Sequence, residues 1–509
     1  MTEHRGDHHD AIIIGGGLGG LVAGAKLSQH GKRVLLIEQH RVVGGCATVF
    51  KRKDYTVEAS LHMIDGLDAE DGKRRIFEEL GVFESVDFIR VPEFYRFVGA
   101  KTDIVIPASV EEARMTLVSR FPDEARGIDA FFACLSGTAK ELARMPQTKW
   151  KQVLLFPLFP LLYPNVVAGA KGTLGAFLDR NIRDEQLKLV LSANVGYYHD
   201  DPYALSLLYF ALAQGSYFRG GGHFVRGGSQ QLSDHFAGMI TDNGGTVLTG
   251  HEVTRILTED GRATGMAFKK KGADEDQQAT ADAVIANAAM PSVVNDLLPK
   301  GSAPPAFVDK VNRMKPAMSL LCLYLGFRTP LRELGNPCYS TFVYEDIERL
   351  SDVAARSHAA YEQRPLAFVD YSHLDTGMAP PGRSMGAICT ADYLSDWEQL
   401  SQDEYKAKKE QVAQVLIGRL DRLIPGAAAA IDYHEVATPK TLARFTRNPQ
   451  GTVYGFAQTP DQAGLKRIGA RSPVPGLYFA SAWTFPGGGF SGVIIAGYLA
   501  AVEVLQGAG

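Results

Sequence analysis

The stretch His9–Gly20 reads HDAIIIGGGLGG, and the later run Lys32–Ile37, KRVLLI, leads straight into Glu38. Four consecutive apolar residues, Ala11–Ile14, predict a strand buried on both faces. Gly15, Gly17 and Gly20 then satisfy G-x-G-x-x-G. In that pattern the first glycine permits a tight turn, the second lets a pyrophosphate approach the backbone, and the third lets helix and strand pack closely. A helix is expected over Leu18–Gln29, with the N–H groups of Leu18, Gly19 and Gly20 and the positive end of its dipole turned towards the phosphates. Arg33–Glu38 reads as the next strand, and it places a carboxylate where ribose hydroxyls can donate to it. Strand, turn, helix and acid in this order predict a dinucleotide site.

The bulk numbers bound the rest. The chain has 509 residues, 45% hydrophobic and 22% charged, with a net charge of −4. That is enough for two or three domains' worth of core, and it offers no basic surface for nucleic acid. The cysteines Cys46, Cys134, Cys322, Cys338 and Cys389 form no C-x-x-C pair and no metal-ligand spacing with histidine. This argues against a dithiol-reductase motif and a metal site, and it suggests a reducing, cytosolic compartment. The start of the chain, MTEHRGDHHD, lacks an apolar signal core, and its His4, His8 and His9 read as part of a polar leader.

After Glu38 comes EQHRVVGGCAT, residues 38–48, with Arg41 and the doublet Gly44–Gly45. It resembles the R-x-x-G-G element of the flavoprotein superfamily that contains amine oxidases, phytoene desaturases and Rab GDP-dissociation inhibitors. A glycine doublet lets a second loop close on the pyrophosphate, and an arginine offsets phosphate charge. The resemblance implies FAD rather than NAD. No second G-x-G-x-x-G follows a strand. Arg219–Gly222 and Arg226–Gly228 are glycine-rich, but no apolar strand is apparent before them, so no separate NAD(P)H domain is expected.

The expected fold class is α/β, a Rossmann-type FAD-binding domain built from the discontinuous segments 1–65, 222–295 and 476–509. An α+β substrate-binding domain is expected from 66–221 and 296–475. In the middle segment a helix is expected between Gly227–Gly228 and Gly244–Gly245, and Asp260–Gly261 reads as a hairpin turn. Leu320–Phe327 and Met385–Ala391 read as strands, Asp403–Leu423 as a helix, and Gly272–Thr280 as a polar loop. In the last segment a strand at Leu477–Ala480 runs through Pro486–Gly489 into a helix expected near Gly492.

The ordered set of GGGLGG, Glu38, Arg41–Gly45, Arg226–Leu232 and TFPGGGFSG (Thr484–Gly492) resembles the phytoene desaturase, carotenoid isomerase and retinol saturase group over essentially the whole chain. That resemblance implies cofactor contacts from Gly15, Gly17, Leu18, Gly19, Gly20, Glu38, Arg41, Gly44, Gly45, Val253, Gly487, Gly488, Ser491, Gly492 and Val493. The chain departs from the group at ASAW, Ala480–Trp483, where some relatives carry an aspartate, and at Ser60 and Phe485, where a glycine and a histidine are common.

The resemblance implies an oxidoreductase acting on a hydrophobic polyene or isoprenoid. Desaturation by hydride transfer to flavin N5 is the first expectation. Saturation or cis–trans isomerisation of a conjugated polyene is the alternative, and an isoprenoid-binding chaperone is the alternative of another class. Within Lys53–Gly66, KDYTVEASLHMIDG, Glu58 and His62 are the candidates for proton handling. For His62 a structural role in the core competes with a catalytic one, and Tyr197, Tyr198 and His199 read as packing. With no pyridine-nucleotide domain, oxygen or a membrane quinone is the expected electron acceptor. The segment 149–168, KWKQVLLFPLFPLLYPNVVA, is too short and too rich in proline to span a bilayer. It is expected either to touch a membrane peripherally, with Trp150 as an anchor, or to line the substrate domain.

Overall fold

The strand His8–Ile14 is covered almost completely, as its apolar run demands, and it pairs in parallel with Val34–Glu38 on one side and Gln277–Ala286 on the other. The protein is described here by a computed structural model covering residues 8–146 and 155–507. The first crossover is the helix Leu18–Gln29, with the bounds expected from the glycine pattern. Thr246–Thr249 adds a parallel strand outside Val34–Glu38, and Leu477–Phe479 pairs in parallel with Gln277–Ala286. The hairpin His251–Glu259 and Arg262–Lys270 turns at Asp260 and Gly261, both at positive φ, and completes a seven-stranded sheet among the described residues. Every strand of that sheet comes from residues 8–38, 246–286 or 477–479.

A second seven-stranded sheet is assembled from Glu93–Gly99, Asp103–Pro107 and five strands between Ser319 and Ala437. Ser319–Phe327, next to one edge, is paired antiparallel with both Ser384–Asp392 and the edge strand Ile431–Ala437, and Leu366–Asp370 is the middle strand. The helix Gln402–Leu423 begins in a capping box between Ser401 and Glu404. Its buried residues Val412, Ala413, Leu416 and Leu420 join the core on one face of this sheet. Helices of residues 110–220 form a separate apolar core against Phe94, Phe97 and Phe342.

Several sequence expectations change. His8 and His9 do not belong to a leader: they open the first strand, with His8 opposite Thr280 and His9 buried. His4 lies outside the described residues. The polar loop expected over Gly272–Thr280 is shorter, because Gln277–Ala286 runs as strand along Arg262–Lys270. A short strand, Gly222–Val225, does lead into Gly227–Gly228. It is held antiparallel between Ile64–Asp65 and Phe88–Arg90, so it is not the start of a second nucleotide unit. The last helix starts at Gly489 and runs to Gly507. It is long and apolar enough to cross a membrane, but here it lies along Leu18–Gln29, so close that a Cβ on Gly497 would stand 2.2 Å from the Gly19 carbonyl oxygen.

Candidate active site

One cavity of about 2320 Å³ runs between the two sheets. Ligand pockets occupy about 300–1,000 Å³, so this one has room for a dinucleotide and a second molecule. Its first part is walled by backbone. Gly15, Gly17, Leu18 and Gly19 line it from the first turn, and Gly44 and Gly45 face them from the second loop. The loops are tied by the Gly44 N–H donating to the Gly16 carbonyl at 2.7 Å. Side chains have no room here. A Cβ on Gly15 would stand 2.8 Å from the Asn287 carbonyl oxygen, on Gly44 2.2 Å from that of Ala47, and on Gly19 1.8 Å from that of Ala480. Gly20 does not reach the cavity; a Cβ there would stand 2.3 Å from the Gly15 oxygen, so its role is to let the helix close on the turn.

Glu38 is buried at the end of its strand, and its two carboxylate oxygens accept from the Gly16 and His40 N–H groups at 2.7 and 2.8 Å. Arg41 and Val253 line the same part of the cavity. Asn287, which no motif marks, donates from Nδ2 to the Gly15 and Gly17 carbonyls at 3.0 and 3.2 Å and so fixes the turn.

At the far side of this cradle Gly487, Gly488, Ser491, Gly492 and Val493 line the cavity around the start of the last helix. The segment before it is gripped by Arg467, a buried guanidinium that donates to the carbonyls of Thr484, Phe456 and Ala482 at 2.9, 3.0 and 2.7 Å. Burial pulls its pKa down to about 10. No motif marked Arg467, because its three partners are main-chain atoms.

The second part of the cavity is walled by side chains from the second sheet and the helical insertion. His62 is buried there. Its Nδ1 lies 2.8 Å from the Tyr197 hydroxyl and its Nε2 3.3 Å from Cys389 Sγ. Desolvation lowers its pKa to about 4, so the ring is neutral at pH 7. Tyr197 is therefore a partner of His62 and a cavity residue as well as packing.

Glu58 does not line the cavity. It is fully buried and accepts from the Ser229 N–H and hydroxyl at 2.8 and 2.7 Å and from the Leu61 and Ser60 N–H groups at 3.1 and 3.3 Å. Desolvation raises its pKa to about 7 against the pull of these donors. Its bonds to Leu61 and Ser60 hold the backbone just before His62, a positioning geometry. Among the described residues no group of three or more metal-ligating side chains comes together.

The backbone cradle, the acid and the helix at the far end would fit a flavin dinucleotide. The sequence matches the family described as flavin containing amine oxidoreductase over residues 18–505. The chain belongs to that family. It is an enzyme family, and the cofactor is FAD. This flavin containing oxidoreductase is 26% identical to the chloroplastic prolycopene isomerase of Arabidopsis thaliana, over 97% of this chain and 82% of that protein. It is 25% identical to the all-trans-retinol 13,14-reductase of Danio rerio, over 92% of this chain and 81% of that protein. It is 25% identical to the neurosporene-forming phytoene desaturase of Rhodobacter capsulatus, over 98% and 95%. Among solved structures, wild-type putrescine oxidase bound to putrescine superposes with a TM-score of 0.65 at 17% identity, covering 98% of this chain and 99% of that one, which shows the shared fold. In this oxidoreductase Gly15, Gly17, Leu18, Gly19, Glu38, Arg41, Gly44, Gly45, Val253, Gly487, Gly488, Ser491, Gly492 and Val493 would hold FAD, whose ring supplies hydride exchange.

Proposed function

We propose that this oxidoreductase acts on carbon–carbon bonds of a hydrophobic polyene, and that desaturation is its reaction. The observation that carries this is the continuity of the cavity: the FAD cradle opens into a part lined largely by Leu, Ala, Val and aromatic side chains, reaching a helix that is bonded to the segment following an exposed apolar turn. The rim is formed by Ala139, Leu142 and Ala143. Glu141, on the same helix, accepts from the N–H groups of Asn165 and Val166, which begin the helix Pro164–Lys171. Just before that helix Phe156, Leu158, Leu161 and Leu162 are exposed. An apolar patch at a tunnel mouth suits a substrate that passes from lipid into protein without crossing water. Trp150 and its flanking lysines lie outside the described residues. The reading places the protein in the cytoplasm, peripherally attached to a membrane, with oxygen or a quinone as the final electron acceptor.

The His62–Tyr197 pair supplies the proton acceptor: the Tyr197 hydroxyl, bonded to His62 Nδ1, takes the proton as it passes its own to the ring. Removal of a hydride leaves a carbocation whose neighbouring C–H is strongly acidic, so a neutral imidazole of low basicity suffices. The resemblance to a retinol reductase and an isomerase keeps those reactions as the second reading, and the His62–Tyr197 pair is the group that either would use. The test is anaerobic mixing of oxidised holoenzyme with phytoene in liposomes. Bleaching of the flavin's visible band together with a new polyene band is expected. Oxidised flavin that stays unchanged, while chemically reduced enzyme consumes or isomerises a conjugated polyene, transfers the reading to the saturase or isomerase. His62→Gln is expected to lower kcat by about 10²-fold with KM little changed.

A further inference from the structure

The sequence has no C-x-x-C pair, yet the second sheet assembles a dithiol from distant residues. Cys322 lies on Ser319–Phe327 and Cys389 on Ser384–Asp392, and the antiparallel register sets them directly opposite each other. Residues so opposed have Cα atoms about 4.5–5.5 Å apart, within the span of about 4.4–6.8 Å that a disulfide bridges. The two sulfurs are 3.0 Å apart, and both residues are free thiols lining the cavity that Gly44 and Gly45 also line.

The surroundings equip the pair for proton movement. Cys389 donates to Cys322, so His62 donates from Nε2 to Cys389 and Tyr197 donates to His62 Nδ1. The four groups form one chain of donors. Run in the opposite sense, with Cys389 donating to Nε2, the same chain carries a proton away from sulfur. The hydrogen bond to Cys322 and burial hold the Cys389 thiol far above its ordinary pKa, so its proton leaves only together with the electrons.

We propose that Cys322 and Cys389 form a dithiol–disulfide couple that exchanges two electrons with the flavin in the same cavity. In one direction each thiol loses its hydrogen, an S–S bond forms, and two electrons and two protons pass to the oxidised ring, the Cys389 proton leaving through His62. In the other, two electrons and two protons return from the reduced ring, the S–S bond breaks and both thiols are restored. The exchange balances without an outside reactant. The site then holds four electrons, two on the ring and two on the sulfur pair, whichever polyene reaction it serves.

The test is an anaerobic dithionite titration of holoenzyme that has been oxidised with diamide and freed of the reagent, with flavin absorbance recorded. Parallel samples are unfolded in iodoacetamide and mapped by mass spectrometry, a readout that needs no bound FAD. Wild type is expected to take up four electrons per FAD and to yield a linked Cys322–Cys389 peptide before titration and two alkylated thiols after it. Cys322→Ser and Cys389→Ser are each expected to take up two electrons, while Cys134→Ser, buried in the helical core, keeps four. Uptake of two electrons by wild type with all five cysteines alkylated overturns the proposal. So does linkage to Cys46 instead, or a Cys322–Cys389 bridge that stays closed while the flavin reduces.

Discussion

The two parts of the cavity are made of different material. Around Gly15–Gly19, Gly44–Gly45 and Gly487–Gly492 the wall is largely main chain, and at Gly15, Gly19, Gly44 and Gly492 a neighbouring carbonyl oxygen leaves no space for a Cβ. Around His62, Tyr197, Cys322 and Cys389 the wall is side chain, brought together from four separate stretches of sequence by the register of the second sheet and a helical insertion. The first kind of wall tolerates almost no substitution, because backbone cannot move aside. The second tolerates substitution sterically and changes chemistry instead.

The strongest test of that contrast is Gly19→Val. A Cβ there would stand 1.8 Å from the Ala480 oxygen and 2.8 Å from Asn287 Oδ1, so helix and C-terminal segment must separate. The variant is expected to lose on the order of 3 kcal/mol of stability and to purify without FAD, measured by urea unfolding and by flavin content. His62→Gln, in the side-chain wall, is expected to retain full FAD. If Gly19→Val kept its flavin, the cradle would be looser than the contacts allow.

Arg467→Met asks whether a side chain can hold a backbone wall together. Its loss leaves the carbonyls of Phe456, Ala482 and Thr484 without the guanidinium. A cost of about 2 kcal/mol is expected, with FAD released at lower urea than in wild type, as read by flavin fluorescence. Unchanged FAD release would mean that Gln458, which donates to the Pro486 carbonyl at 3.1 Å, suffices to hold the loop.

The side-chain wall has its own signature in pH. His62 folds with its pKa depressed to about 4 from 6.5. Between these values the unfolded chain binds a proton that the folded chain refuses, so this contribution is fully present above pH 6.5 and is lost as pH falls towards 4. Glu58 and Asp370, both raised to about 7 by burial, act in the opposite sense over the same range. The informative quantity is therefore the difference between wild type and His62→Gln. The variant is expected to gain on wild type by on the order of 2 kcal/mol between pH 6.5 and 4, measured by urea unfolding at each pH. Parallel curves would place His62 in water rather than in a dry wall.

The same contrast explains what the sequence could reveal. The Ala11–Ile14 part of the first strand, helix Leu18–Gln29 and the acid at Glu38 were legible because each rests on a local rule: an apolar run, a fixed glycine spacing, a strand end. The start of the last helix falls three residues before its expected place, because Gly489 is helical in the fold but reads as part of the glycine loop. Asn287 and Arg467 were not legible, since they bond to main-chain atoms far along the chain, and any donor of the right reach would look the same in sequence. The Cys322–Cys389 pair was hidden for a related reason. A cross-strand contact depends on which strands pair and in what register, and neither cysteine carries a local mark of its partner. Glu58 and His62 were found together in one segment, but only the fold separates a saturated buried carboxylate from an imidazole that faces the cavity.

The smallest expected effect on folding belongs to the exposed turn, and there the contrast reaches the protein's surface. Phe156 and Leu161 are 70% and 80% exposed, so little of their apolar area is buried in the fold. Phe156→Ser with Leu161→Glu is expected to alter stability by no more than about 0.5 kcal/mol and to leave flavin content unchanged. Insertion of both side chains into lipid would remove apolar area from water at about 25 cal/mol per Å². Their loss is therefore expected to weaken binding to liposomes by at least about tenfold, measured by cosedimentation, and to raise KM for a liposome-borne polyene while kcat holds. A polyene presented in detergent should be turned over equally by both proteins, because the cavity beyond Leu142 is untouched. Equal cosedimentation of the double variant and wild type would leave the patch without a role at the membrane, and the substrate would then have to reach the rim from solution.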